Sequence, residues 1–218
     1  MQLYCIQMPK NVKRPYDSSG RQAKAAETRL RIISTAQELF VRQGYGHTTL
    51  TQIADESGVA VETIYAAFRN KATLLRRAWY LAGRGDEQDV TLYARPEMQD
   101  ILAESDLRRR NERYAAFAAA FNRRVAPLAE MLAGAAASER AARDMLTEWG
   151  ERRLDVATKY AAAAAASGQL AAEEAEFRDT IFATIEGELW RQLVGERGWS
   201  DERYAIWLAS LWNASISD

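Results

Sequence analysis

The segment TLTQIADESGVAVETIYAAF, residues 49–68, constrains the fold of this chain more than any other stretch. Thr49 with Gln52 three residues later is a capping-box pattern that opens a helix, Ile53 and Ala54 point inward along it, and Ser57-Gly58 stops it. A second short helical run, Val61–Phe68, begins almost at once. Two short helices joined by a tight glycine-containing turn form a helix-turn-helix, whose second helix is placed to enter a major groove. Thr63 and Tyr65 then face nucleic acid, while Ile53, Ala54, Val59, Ile64 and Phe68 pack a small core.

The flanking sequence supplies the missing walls of that core. From Arg21, Leu30, Ile33, Ala36 and Phe40 recur at helical spacing and Gly44 ends the run; after Phe68, Asn70-Lys71 opens a further helix with Leu74, Leu75, Ala78, Trp79 and Leu81 on one face, stopping at Gly83 or Gly85. Beyond a linker to Pro96 the pattern stays helical. It predicts helices over 96–103, 106–122, 125–136 with Pro127 in the first turn, 138–167, 172–194 and 200–215, with Ser138 and Ser200 as N-caps and Gly168 and Gly195 as ends. No stretch alternates with period two, so the fold class is all-α: an N-terminal three-helix helix-turn-helix domain followed by a larger helical domain. The expected divisions are a disordered basic arm over 1–20, a DNA-binding domain over 21–82 with the helix-turn-helix at about 49–68, and a second domain over 83–218.

Charge separates the two parts. Residues 1–77 hold 12 Lys and Arg against 6 Asp and Glu, a net +6, whereas 78–218 hold 17 against 24, a net −7. One end is built to meet a polyanion and the other to avoid it. Lys10, Lys13 and Arg14 in the arm are candidates for phosphate or minor-groove contact, with a solvated tail as the alternative; Arg29 and Arg31 on the first helix are assigned to a solvated face.

Other function classes lack their residues. The longest apolar runs are alanine tracts such as 161–166, far short of the roughly 20 residues that span a bilayer. Residues 1–8 carry no export signal, so a cytoplasmic, membrane-free protein is expected. The single cysteine, Cys5, allows no internal disulfide, and one histidine, His47, in a turn, with one cysteine cannot assemble the common zinc sites. No nucleophile elbow, P-loop or dinucleotide fingerprint occurs. No enzyme activity, cofactor or metal is expected.

The run from Thr28 to Leu75, TRLRIISTAQELFVRQGYGHTTLTQIADESGVAVETIYAAFRNKATLL, resembles the DNA-binding domain of the tetracycline-repressor (TetR) family of bacterial regulators. The resemblance rests on LF-x-x-x-G-Y at the end of helix one, T-T-x-x-x-I-A opening helix two, the G-V turn, T-I-Y in the recognition helix and F-x-N-K before helix four. It implies that Thr51, Val61, Glu62, Thr63, Tyr65, Ala66 and Lys71 stand at DNA-contact positions, Tyr65 and Lys71 on phosphate, although Tyr65 as core filler is the alternative. Ala60 departs from the pattern, since many relatives have a capping Ser or Thr there. Val61 and Ala66 make no bidentate base contacts, only apolar ones to thymine methyls, so the operator sequence is not readable.

The resemblance also implies a small-molecule effector, a homodimer on a palindromic double-stranded operator, and repression. Tyr204, Trp207, Leu208, Leu211 and Trp212 form a broad apolar stripe on the last helix, and Phe177, Ile181, Ile185, Leu189 and Leu193 recur every four residues before it. In the family such helices pair across a four-helix dimer interface; the alternative spends both stripes inside the monomer. Tyr114, Phe121, Trp149 and Glu186 are candidate effector-pocket residues, and an ordinary core accounts for the aromatics equally well. Rival readings are a helical scaffold with a relic helix-turn-helix and an activator without ligand.

Overall fold

A computed structural model describes residues 19–86 and 90–217. Ten α-helices follow in order: α1 (Ser19–Gln43), α2 (Leu50–Ser57), α3 (Val61–Phe68), α4 (Lys71–Arg84), α5 (Pro96–Leu102), α6 (Leu107–Ala135), α7 (Arg140–Ala166), α8 (Glu174–Thr184), α9 (Gly187–Trp190) and α10 (Asp201–Asn213), with a π-helical turn over Arg191–Glu196. Among the described residues there is no strand, only a single antiparallel bridge between Leu170 and Ile216. The all-α expectation is met.

Local chemistry explains the ends of the short helices. Thr49 and Gln52 complete their capping box, with the Gln52 amide N–H donating to Thr49 Oγ1 and Thr49 N donating to Gln52 Oε1. Gly58 ends α2 at φ 67, Asn70 Oδ1 accepts from the Thr73 amide at the start of α4, Gly85 ends α4 at φ 77, and Ser200 Oγ caps α10. Ala60, at the N-cap of α3, makes no side-chain cap bond.

Several helix boundaries differ from the sequence pattern. The helix α1 starts at Ser19, inside the stretch assigned to the arm; Lys10, Lys13, Arg14 and Cys5 lie outside the described residues. Helix α6 runs unbroken through Pro127, where two helices were expected. Pro127 is exposed, and Val125, Leu128 and Leu132 beside it are buried, so the packed face carries the helix past the missing N–H. Glu139 rather than Ser138 holds the N-cap position of α7. The expected helix over 172–194 breaks at Glu186, whose backbone is extended, and Gly198 rather than Gly195 takes a left-handed conformation.

Two cores organise the chain. One encloses Ile32, Ile33, Phe40, Ile53, Ile64, Phe68, Leu74 and Leu75, and continues into Leu128, Leu132, Ala142 and Met145 of α6 and α7. The other gathers Tyr114, Tyr160, Phe177, Ile181, Tyr204, Leu208 and Trp212. Packing therefore does not divide at residue 82: the helix-turn-helix shares its core with the far ends of α6 and α7.

Candidate nucleic-acid interface

Helix α3 has two sharply different sides. Ile64 and Phe68 are buried, with at most 1% of their surface exposed, which anchors the helix against α1, α2 and α4. Glu62, Thr63, Tyr65 and Ala66 are exposed on the remaining surface, as is Thr51 in the first turn of α2, whereas Val61 is half-buried against the core. Tyr65 is 54% exposed, which removes its alternative role as core filler. Hydroxyl, carboxylate and methyl groups are thus held on a rigid helix, with the phenol at its side.

The frame behind that face is cross-tied in ways the sequence did not announce. Arg29 of α1 donates to the Ala67 carbonyl (3.1 Å) and lies over the Phe68 ring, and Arg31 donates to the Ser57 carbonyl (3.0 Å). Both arginines, assigned above to a solvated face, satisfy terminal carbonyls of α3 and α2, where a cation also suits the helix dipole. Their partners lie 38 and 26 residues away, so only a three-dimensional arrangement reveals them. Arg69, also absent from the expected set, is exposed at the end of α3 with φ 66, the one non-glycine residue among the described ones in that region.

Lys71 holds the turn between α1 and α2. Its Nζ donates to the carbonyls of Tyr45 (2.8 Å) and Thr48 (3.0 Å) and sits 4.1 Å from the Tyr45 ring centroid. Burial lowers its pKa, with nearby Glu139 acting in the opposite direction. Burial, and secondarily Glu139, pushes the Tyr45 phenol up to about 12. Glu139 comes from the α6–α7 turn and reaches Gly46 so closely that a Cβ there would lie 2.9 Å from its Oε1. The ammonium expected on phosphate is therefore engaged by backbone carbonyls in this structure. His47 is exposed in the same turn, its carbonyl accepting from Gln43 Nε2.

The four expected pocket residues do not all share one site. Tyr114 is enclosed among Tyr160 and Trp212 in the second core, and burial raises its pKa strongly; Trp149 lies against Trp79 beside the first core. Phe121 is half-buried against Gly83, and Glu186 is exposed and paired with Arg153 at 3.0 Å. The expected dimer stripes also need correction. Phe177, Ile181, Tyr204, Leu208 and Trp212 have no exposed surface in the single chain, because they fill its own core, so none of them is free to touch a second copy. Ile185, Leu189 and Trp207 are half-buried, and Leu211 is 37% exposed. Ile206, 65% exposed on α10 above a shallow groove against α6, was not in the expected set. Among the described residues no group of three or more His, Cys, Asp or Glu is placed to hold a metal ion, and no helix is long and apolar enough to cross a membrane.

Residues 32–78, the segment that builds this interface, match the family model described as bacterial regulatory proteins, tetR family. The same region is 46% identical over 54 residues to the HTH-type transcriptional regulator SrpR of Pseudomonas putida, and 39% identical over 59 residues to the regulator AcrR of Shigella flexneri. The helix-turn-helix segment of this chain is similar to that of the tetR family of bacterial regulatory proteins. These alignments cover 25% and 27% of this chain and equal shares of the relatives, so the chain spans about a quarter of the length of the curated relatives it matches. Similarity of fold to solved structures extends further than that sequence similarity. NalD of Pseudomonas aeruginosa, described as the secondary repressor of a multidrug efflux pump, superposes with a TM-score of 0.64 at 20% identity, covering 88% of this chain and 97% of the other. SmeT, solved with triclosan, gives 0.66 at 21% identity over 88% and 92%.

Proposed function

We propose that this protein is a sequence-specific transcriptional regulator, a cytoplasmic homodimer that represses from a palindromic operator and is released by a small-molecule effector, with no catalytic step. The observation that carries the reading is α3: two buried anchors, Ile64 and Phe68, present Glu62, Thr63, Tyr65 and Ala66 to the outside. Base-edge contacts specify and phosphate contacts position, so Thr63 is assigned to the groove and Tyr65 to the backbone. The descriptions of relatives as regulators and repressors support this role, and the triclosan complex of SmeT supports responsiveness to a small molecule.

Selection of DNA from a random pool tests the reading directly. The recovered sequences should be palindromes with half-sites about 34–36 Å apart, or a multiple of that, and binding should weaken steeply with salt. On the selected site Tyr65→Phe should lose about 1 kcal/mol of affinity, the net worth of one hydrogen bond, with base preference and melting temperature unchanged. Thr63→Ala should change preference at one symmetric pair of positions. A pool that yields no enriched sequence sinks the proposal.

A further inference from the structure

The break between α8 and α9 is the least expected feature of the second half, and two unsatisfied donors converge on it. From α6, Asn122 is only 3% exposed and its Nδ2 has no hydrogen-bond partner, while its Oδ1 lies 3.7 Å from where a Cβ on Gly187 would stand. From α7, Arg153 pairs through Nη1 with Glu186 (3.0 Å) and lies 4.3 Å from the centroid of the Phe182 ring, yet its Nε is enclosed and unpartnered. Glu186 and Gly187 are consecutive. Enclosed donors almost always find acceptors, so a pair left open at one spot calls for an acceptor from elsewhere.

We propose that this break is the effector site and that it takes an aromatic carboxylate. Both open groups are donors, so the missing partner is an oxygen acceptor, and Arg153 already holds a carboxylate on its outer nitrogen. A ligand carboxylate beside the pair reaches Nε and the adjoining Nη2 together, the fork geometry that guanidinium groups favour, while Glu186 keeps Nη1 and Asn122 Nδ2 donates to the ligand's second oxygen. Phe182 beneath the guanidinium supplies a face for a flat apolar body, and Phe121 precedes Asn122 on α6. Residues 187–196 include no buried side chain, so this segment lifts most easily to admit the ligand. Phe121 also touches the end of α4, where a Cβ on Gly83 would lie 2.7 Å from its ring, and Arg124 beside it donates to the Gly83 carbonyl (3.0 Å). A ligand that moves Phe121 therefore moves the helix that carries the helix-turn-helix.

As an effector site the proposal rests on the regulator reading; as a binding site it does not. Titration calorimetry on the full chain with 1-naphthoate, and with 1-naphthamide as the uncharged control, tests it. Naphthoate should bind at least about ten-fold tighter than naphthamide, and Asn122→Leu should weaken naphthoate about ten-fold, as loss of a charge-assisted hydrogen bond does. Glu186→Gln, at an exposed position, removes a negative charge beside the ligand's carboxylate and should tighten binding by about three-fold or more. In the wild type, the side-chain amide resonance missing from the Asn122→Leu spectrum should shift on titration. Naphthoate unbound by the wild type, or bound equally by the wild type and both variants, overturns the site. If naphthoate titrates while no DNA is selected, the regulator reading fails and the site stands; if DNA is selected and naphthoate is ignored, the site fails and the regulator reading stands.

Discussion

Gly83 and Gly150 both lie within helices, yet the same methyl group should act on them with opposite sign. A Cβ on Gly83 would meet Phe121 Cε2 at 2.7 Å and Val125 Cγ1 at 3.2 Å, and that ring lies on a packed contact between α4 and α6. Gly83→Ala should therefore cost about 1–3 kcal/mol, the usual range for overpacking. A Cβ on Gly150, in the middle of α7, meets nothing within 4 Å. Gly150→Ala should stabilise by roughly 0.5–1 kcal/mol, because alanine loses less backbone entropy in a helix. Urea unfolding of the two variants decides the matter, and a common sign for both would contradict the packing at Gly83. What the sequence revealed at this scale was local. The exposed face of α3, with Glu62, Thr63, Tyr65 and Ala66, was legible because spacing alone separates these positions from the buried Ile64 and Phe68. The ties of Arg29, Arg31 and Lys71 were not, since each depends on a carbonyl more than 20 residues away in the chain.

The short helices of the helix-turn-helix differ in how they are capped, and stability should follow the caps. Thr49 and Gln52 satisfy each other's backbone amides at α2, whereas Ala60 at α3 is exposed, extended at φ −70 and ψ 144, and contributes no side-chain acceptor. Ala60→Ser should add about 0.5–1 kcal/mol by accepting from an amide in the first turn, and Thr49→Ala should remove about 1–2 kcal/mol. Thermal unfolding reads both; for a chain of this size each kcal/mol corresponds to roughly 2–4 °C. No gain from Ala60→Ser would mean that solvent already satisfies those amides. Caps and stop signals of this kind made α2, α3, α4 and α10 legible, because a cap is written within four residues. The break at Glu186 was not legible. It is fixed from outside the segment, by Arg153 on Glu186 and by the Trp212 indole donating to Thr184 Oγ1 at 2.8 Å, while the four-residue apolar spacing runs straight through it. The continuity of α6 through Pro127 was hidden for the same reason, as a core shared with α1 to α4 outweighs a local breaker.

For the whole molecule, the surface left for a second copy is narrower than the apolar stripes suggested. Ile206 and Leu211 stand out from α10, so the pair Ile206→Glu and Leu211→Glu should give monomers by sedimentation with an undamaged core, and weak DNA binding for want of a second reader. A doubly substituted protein that stays dimeric would place the interface elsewhere. The enclosed tyrosines make a separate claim about the folded state. Burial raises the Tyr114 phenol far above its ordinary 10, and burial with the neighbouring Tyr114 does the same to Tyr160, against a smaller opposite effect of Arg110. In the unfolded chain both ionise near 10; in the native protein they keep their protons. Between those values the folded state binds more protons than the unfolded one, so stability falls as pH rises, by about 1.4 kcal/mol per unit for each phenol and about 2.7 for the pair. Tyr45 and Tyr204, both raised to about 12 by burial, add the same sign in smaller measure, and Lys71, shifted down, adds the opposite sign below its ordinary 10.5. The protein should therefore be stable at neutral pH and unfold cooperatively above pH 10, with phenolate absorbance rising in the same step as helical dichroism is lost. Tyr114→Phe, which deletes one of the two enclosed phenols, should move that midpoint to higher pH. Phenolate signals of all four tyrosines appearing near pH 10, ahead of any loss of helix, would show that these side chains are not enclosed.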